Sequence, residues 1–227
     1  DQGVLTEART TSQAGGNDSI ELGNGDNVVI GGAGEDGITT ADGTDHILGD
    51  NGEVVFQSNG DYAIRSQEHA SAQTSVGAKD TIIAGDGDKT VIAGLGNDEV
   101  TLTTTGANTH TVIGDEGEVI FSNSTIEPDL TVSSTSVEGG DDTVTIQGNT
   151  GHNTVIGGVG SDTVKINVDA QGDSTHRSTD VVLGDNGELK FDVANGERTL
   201  RSAKSEDDQH SSSTDNLQLG DGNKTVI

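Results

Sequence analysis

The chain has no cysteine, methionine or tryptophan, and among its 227 residues only one proline, one tyrosine and three phenylalanines. Without cysteine no disulfide can hold a fold together; this is compatible with an exported protein but decides little alone. With 29% hydrophobic and 2% aromatic residues, a conventional sizeable core is not expected. Positive charge is equally scarce. Eleven lysines and arginines face 39 acidic residues, for a formal net charge of -28. Nucleic acid and anionic membrane would both be repelled, so neither is expected as a partner. No apolar run approaches the roughly 20 residues of a spanning helix, and no signal peptide is visible. This pairing of low hydrophobicity and high charge is ordinarily the signature of disorder.

What the chain does have is glycine, 34 of them, in a nine-residue rhythm. Between Gly16 and Ile47, Asp18, Asn27, Asp36 and Asp45 recur nine apart, each followed two residues later by an aliphatic: Ile20, Val29, Ile38 and Ile47. Glycine-rich steps precede the polar markers, most completely Gly31-Gly32-Ala33-Gly34-Glu35-Asp36. Glycines permit positive φ and close backbone approach, and a β-branched residue suits the inward position of a short strand. The pattern therefore predicts a tight turn and a very short strand, repeated, with each strand stacked in parallel on the one a full turn earlier. Carboxylates then pile up at the turns, where their repulsion demands a cation.

These residues resemble the GGxGxDxUx nonapeptide of RTX proteins, a calcium-binding repeat that forms a parallel β-roll. The resemblance implies an all-β fold, a parallel β-roll or β-solenoid, with two nonapeptides per turn and calcium held between turns by aspartates and loop carbonyls. Carried onto this chain, the implied metal-site residues are Asp18, Asp36, Asp45, Asp80, Asp98, Asp142, Asp162, Asp180 and Asp215, with Asn27 and Asn153. The turn glycines Gly32, Gly34, Gly94, Gly96, Gly158 and Gly160 complete the set. The expected cofactor is Ca2+, and no catalytic residue is implied.

A longer period overlies the short one. Asp18, Asp80, Asp142 and Asp215 are equivalent, with spacings of 62, 62 and 73 residues. Each unit closes on a related segment: LGDNGEVVF at Leu48–Phe56, IGDEGEVIF at Ile113–Phe121 and LGDNGELKF at Leu183–Phe191. The expected organisation is one solenoid array. Residues 1–15 would end one unit; 16–77, 78–139 and 140–212 would be whole units, and 213–227 would begin another. Such a start and end suggest a piece of a longer array. All three phenylalanines occupy the closing segment, where they are expected to point inward at a fifth half-turn. A sixth strand is expected at Tyr62–Ser66, Leu130–Ser134 and Thr199–Arg201, followed by polar connectors at Gln67–Ser75 and Ser202–Ser213. Six half-turns would make three turns per unit, a rise of roughly 14–15 Å, and a narrow rod on the order of 50 Å long.

The two edges of the roll read differently. One carries aspartate throughout; the other carries Asn27, Lys89, Asn153 and Lys224 at its first half-turn in each unit. A lysine ammonium can replace a metal outright, so a metal-rich edge is expected opposite a metal-poor one. Gly32-Ala33-Gly34-Glu35-Asp36-Gly37 fits the dinucleotide fingerprint, but no helix follows and its acids would repel a pyrophosphate. The six histidines fall at no zinc spacing. The expected function is a calcium-binding structural segment, not an enzyme. It would serve as stalk, spacer or filament in an extracellular or surface-attached bacterial adhesin or matrix protein, exported by type I secretion. Its partners would be calcium, neighbouring repeats and, through self-association, other chains or surface components. The alternative is the calcium-triggered folding tail of a secreted protease or lipase.

Overall fold

A computed structural model describes residues 4–12, 14–66, 78–123, 129–134, 136–206 and 213–227. The expected connector Gln67–Ser75 lies outside them, as do 207–212 of the second connector. The described residues form 21 strands and no helix, gathered into three seven-stranded sheets. Two of the sheets are wholly parallel and together form the predicted β-roll.

The first sheet stacks Ser19–Glu21, Gly37–Thr40, Thr81–Ala84, Glu99–Thr103, Thr143–Gln147, Thr163–Ile166 and Asn216–Leu219. The second stacks Asn27–Ile30, Asp45–Leu48, Lys89–Ile92, Thr109–Ile113, His152–Ile156, Arg177–Leu183 and Asp221–Val226. Register is set by like residues. Ile20, Ile38, Ile82, Val100, Val144, Val164 and Leu217 align down the first sheet. Val29, Ile47, Val91, Val112, Val155, Val182 and Val226 align down the second. The two ladders face each other across one core, joined by Ala84, Leu102, Ile146 and Ile166. A one-residue slip would turn every aliphatic to the wrong face, which fixes the pairing. The insert before Arg177 leaves this register intact, with residues 169–177 exposed.

The closing segments overturn the three-turn unit. Gly52–Phe56 pairs antiparallel with Tyr62–Ser66, Gly117–Phe121 with Leu130–Ser134, and Gly187–Ala194 with Glu197–Ser205. They are hairpins, joined with Glu7–Arg9 into a third, antiparallel sheet. The last hairpin strand runs to Ser205, through the start of the expected connector. Each unit therefore adds two strands to each parallel sheet, a rise of about 10 Å at the usual strand spacing. Seven stacked strands span about 29 Å between first and last, not 50 Å.

The third sheet also overturns the narrow core. A second apolar layer, between the second and third sheets, contains Leu48, Ile92, Ile113, Ile156 and Leu183 from one side. Val54, Ile64, Val119, Val132 and Leu189 meet them from the other, themselves aligned in register. The second sheet is thus buried on both faces. The phenylalanines divide accordingly. Phe191 is buried, whereas Phe56 and Phe121 are half-buried at the rim, Phe121 stacked on Tyr62 at 5.4 Å and Phe56 against His46 at 5.6 Å. Phe191→Ala should cost about 3–5 kcal/mol, and Phe121→Ala clearly less. Urea unfolding of the two variants in calcium checks the order; equal losses would contradict the packing.

Candidate metal centre

Immediately ahead of each first-sheet strand stands an aspartate: Asp18, Asp36, Asp80, Asp98, Asp142, Asp162 and Asp215. The parallel register lifts all seven into one file along an edge of the roll. Each backbone N–H donates to Oδ1 of the next aspartate. The bonds run from Asp18 to Asp36 (2.8 Å), Asp36 to Asp80 (2.8 Å), Asp80 to Asp98 (2.7 Å) and Asp98 to Asp142 (2.8 Å). Asp142 to Asp162 (2.8 Å) and Asp162 to Asp215 (3.0 Å) complete the file.

That ladder occupies one oxygen of every carboxylate in the file after Asp18. Oδ2 of Asp36, Asp80, Asp98, Asp142 and Asp162 is buried and makes no hydrogen bond. An unpaired buried carboxylate oxygen is among the costliest features a fold can carry. Oδ2 of Asp36, Asp80, Asp142 and Asp162 each crowds a turn glycine, whereas the turn leading to Asp98 has Ala93 at the matching position. A Cβ placed on Gly31 would overlap Asp36 Oδ2 and Gly49 O together; one on Gly114 would overlap Asp142 Oδ2 and Gly157 O. Gly157 stands likewise against Asp162 Oδ2 and Gly184 O. Carboxylate and carbonyl oxygens thus converge on spots that no side chain enters. Among the described residues, no three acidic or histidine side chains converge on one ion position. A site here draws on few carboxylates and several carbonyls, a donor set that suits a hard cation taking six to eight oxygens.

The electrostatics point the same way. Burial, above all, raises the carboxyls of Asp98 and Asp162 to about 7, Asp80 to about 8 and Asp142 to about 10. Asp36 is raised too, again by burial first. Neighbouring aspartates add repulsion: Asp98 and Asp36 at Asp80, Asp115 and Asp98 at Asp142. Carboxyls that resist ionising when alone are the ones that gain most from a bound dication.

The expected glycines Gly32, Gly34, Gly94, Gly96, Gly158 and Gly160 lie in the turns leading to Asp36, Asp98 and Asp162, all at positive φ. At Gly160 a Cβ would also strike Gly140 O of the turn below, so side-chain-free backbone is needed for the turns to stack.

The second file, which lies within the second-sheet strands two residues before their inward aliphatics, is different. It runs Asn27, Asp45, Lys89, His110, Asn153, Asp180, Lys224 in register. Asn27 Nδ2 donates to Asp45 Oδ1 (2.8 Å) and Asn153 Nδ2 to Asp180 Oδ1 (2.8 Å). Lys89, fully buried, places Nζ 3.2 Å from Asp45 Oδ2 and donates to Gly43 O (2.5 Å) and Asp86 O (2.7 Å). Lys224 repeats the arrangement, 2.6 Å from Asp180 Oδ2 and donating to Asp221 O (2.8 Å). His110 is buried with neither ring nitrogen hydrogen-bonded; burial first, then Lys89 and Arg198, lowers it to about 3, so it stays neutral.

Two residues outside the expected set join the first file. Asp50 and Asp115, from the closing segments, are buried and raised to about 9, in each case by burial first. Asp80 is the strongest charge influence on Asp50, and Asp162 on Asp115. The signal was present in the repeated G-D-N/E-G, which reads as the opening of a packing strand.

A stacked roll with a file of paired acids and carbonyls is the architecture of a calcium-binding β-roll. The family comparison agrees: the RTX calcium-binding nonapeptide repeat matches in four copies, at residues 14–47, 22–55, 77–101 and 135–164. The chain carries RTX repeats, and such repeats bind calcium ions. No curated protein and no solved structure matches the chain.

Proposed function

We propose that the chain is a calcium-stiffened spacer, a segment of an extracellular stalk or filament in a bacterial adhesin or matrix protein. Calcium is held along the first file by Asp18, Asp36, Asp80, Asp98, Asp142, Asp162 and Asp215. Carbonyls of the turns that contain Gly32, Gly34, Gly94, Gly96, Gly158 and Gly160 complete the shells. In the second file Lys89 and Lys224 take the place of the metal beside Asp45 and Asp180, and Asn27 and Asn153 make the remaining sites weak. The repeating units are residues 16–77, 78–139 and 140–212, with 1–15 and 213–227 each matching part of one. Export is consistent with the usual setting of RTX repeats, and among the described residues no helix is long and apolar enough to cross a membrane.

One observation carries this reading. Register passes unbroken across the unit boundaries, Ile38 to Ile82, Val100 to Val144 and Val164 to Leu217, so successive units share sheets instead of forming separate beads. A sheet continuous through every boundary resists bending, and its length grows with unit number. The test is small-angle scattering in calcium on chains with one, two and three extra copies of 78–139. The maximum dimension should grow by about 10 Å per copy at constant cross-section. Growth that follows the weak length dependence of a globule would rule out the spacer.

A further inference from the structure

The turns of the first file come in two kinds. After Asn27–Ile30, Lys89–Ile92 and His152–Ile156 the chain runs GGAGED, AGLGND and GGVGSD directly into Asp36, Asp98 and Asp162. After Asp45–Leu48, Thr109–Ile113 and Arg177–Leu183 it reads GDNG, GDEG and GDNG, then leaves for the third sheet. At those levels the file's aspartate (Asp80, Asp142 or Asp215) belongs to the next unit. The turn is broken, and the loop that would have led into the aspartate has gone elsewhere.

At each broken turn, the residue after the first glycine is aspartate where the unbroken turns have Gly32, Gly94 and Gly158. We propose that Asp50 and Asp115 are calcium ligands of a second kind, each acting with the next unit's opening aspartate, Asp80 or Asp142, to hold one ion across the junction between units. This rests on calcium binding along the first file, as proposed above.

The geometry repeats. A Cβ on Gly49 would overlap Asp80 Oδ2, one on Gly114 would overlap Asp142 Oδ2, and one on Gly184 would overlap Asp215 Oδ2. The residue next to each of these glycines is the extra aspartate. Asp50 is 2% exposed; its Oδ2 accepts from Leu95 N at 2.7 Å, and its Oδ1 makes no hydrogen bond. Asp80 is 0% exposed with Oδ2 equally unpaired. Two unpaired carboxylate oxygens from two units are therefore buried at one turn. A turn cap alone explains Oδ2 of Asp50 but leaves Oδ1 and the charge unexplained. Asp115 accepts from Gly140 N (3.1 Å) and Val159 N, beside the unpaired Oδ2 of Asp142. A carboxylate that accepts two amide bonds still has lone pairs for a cation. Such an ion replaces the missing loop as the link between units.

Asparagine removes the charge: at Asp50 its oxygen still accepts from Leu95 N, and at Asp115, whose two oxygens accept from Gly140 N and Val159 N, it keeps one of the two bonds. Calcium bound to the full chain would be counted by native mass spectrometry, with folding followed against free calcium by circular dichroism. Asp50→Asn and Asp115→Asn should each bind one ion fewer than the parent and fold at several-fold higher calcium; the double variant should lose two. Asp50→Gly, which gives this turn the Gly-Gly of the unbroken ones, should also lose one. It serves if the asparagine variant does not fold. Folded variants with the parent's count and midpoint would overturn the junction site and leave Asp50 a turn cap. A parent that binds no calcium would instead overturn the reading on which this one rests.

Discussion

Chelating calcium at pH 7.5 should unfold the chain, and acid should partly restore it without metal. Seven aspartates share one file, and burial raises four of them to between about 7 and about 10, with Asp50 and Asp115 at about 9. In the unfolded chain the same groups titrate near 3.8. Between these limits the metal-free fold binds more protons than the unfolded chain, so its stability falls as pH rises. Below about pH 4 both states are protonated and the penalty vanishes; above the folded values it is complete. Calcium reverses the balance at neutral pH by stabilising the ionised form in the fold alone. Circular dichroism and scattering in chelator should then show an expanded chain at pH 7.5 and growing strand content towards pH 4. Dilute samples are needed there because the sequence pI is about 4.1. Millimolar calcium should restore the fold at pH 7.5, and magnesium should substitute poorly because it holds its water and demands octahedral geometry. A cooperative melt in chelator at pH 7.5 would contradict this account.

Much of this architecture is legible in the sequence because one period dictates it. A marker every nine residues and an aliphatic two places on leave no freedom of register, and every inward position of the two parallel sheets from Val29 to Val182 is buried where the pattern puts it. The third sheet was harder to see, yet it left a trace. Second-sheet strands carry aliphatic pairs: Ile47-Leu48, Val91-Ile92, Val112-Ile113, Val155-Ile156 and Val182-Leu183. First-sheet strands mostly follow the inward residue with threonine or lysine, as in Val100-Thr101 and Val164-Lys165. Adjacent residues of a strand face opposite ways, so a pair of aliphatics means two buried faces and a layer beyond. The direction of the closing strands could not be read in the same way. Alternation is identical for a parallel half-turn and an antiparallel hairpin, and only the pairing decides between them. Asp50 and Asp115 were hidden for a related reason: their partners belong to the following unit, far along the chain.

Replacing Lys89 with methionine should be the most damaging single change in the second file. Lys89 and Asp45 are both 0% exposed, and the ammonium ion-pairs with Asp45 Oδ2 while donating to Gly43 O and Asp86 O. Methionine fills a similar volume but leaves a buried carboxylate and two carbonyls facing an apolar group. Breaking a buried ion pair from one side costs about 3–5 kcal/mol, a large part of the stability of a domain. Most of the loss arises from the stranded charge, so Asp45→Asn in the Lys89→Met background should recover a substantial share. The coupling is read from a double-mutant cycle of urea midpoints at saturating calcium. Lys89→Ala separates charge from packing, because it exposes the same oxygens without filling the space. If the ammonium stands where a metal would, raising calcium beyond the parent's saturation should stabilise Lys89→Ala further and leave Lys89→Met unchanged. Equal calcium responses from both variants would show that the lysine packs against this edge without replacing a cation there.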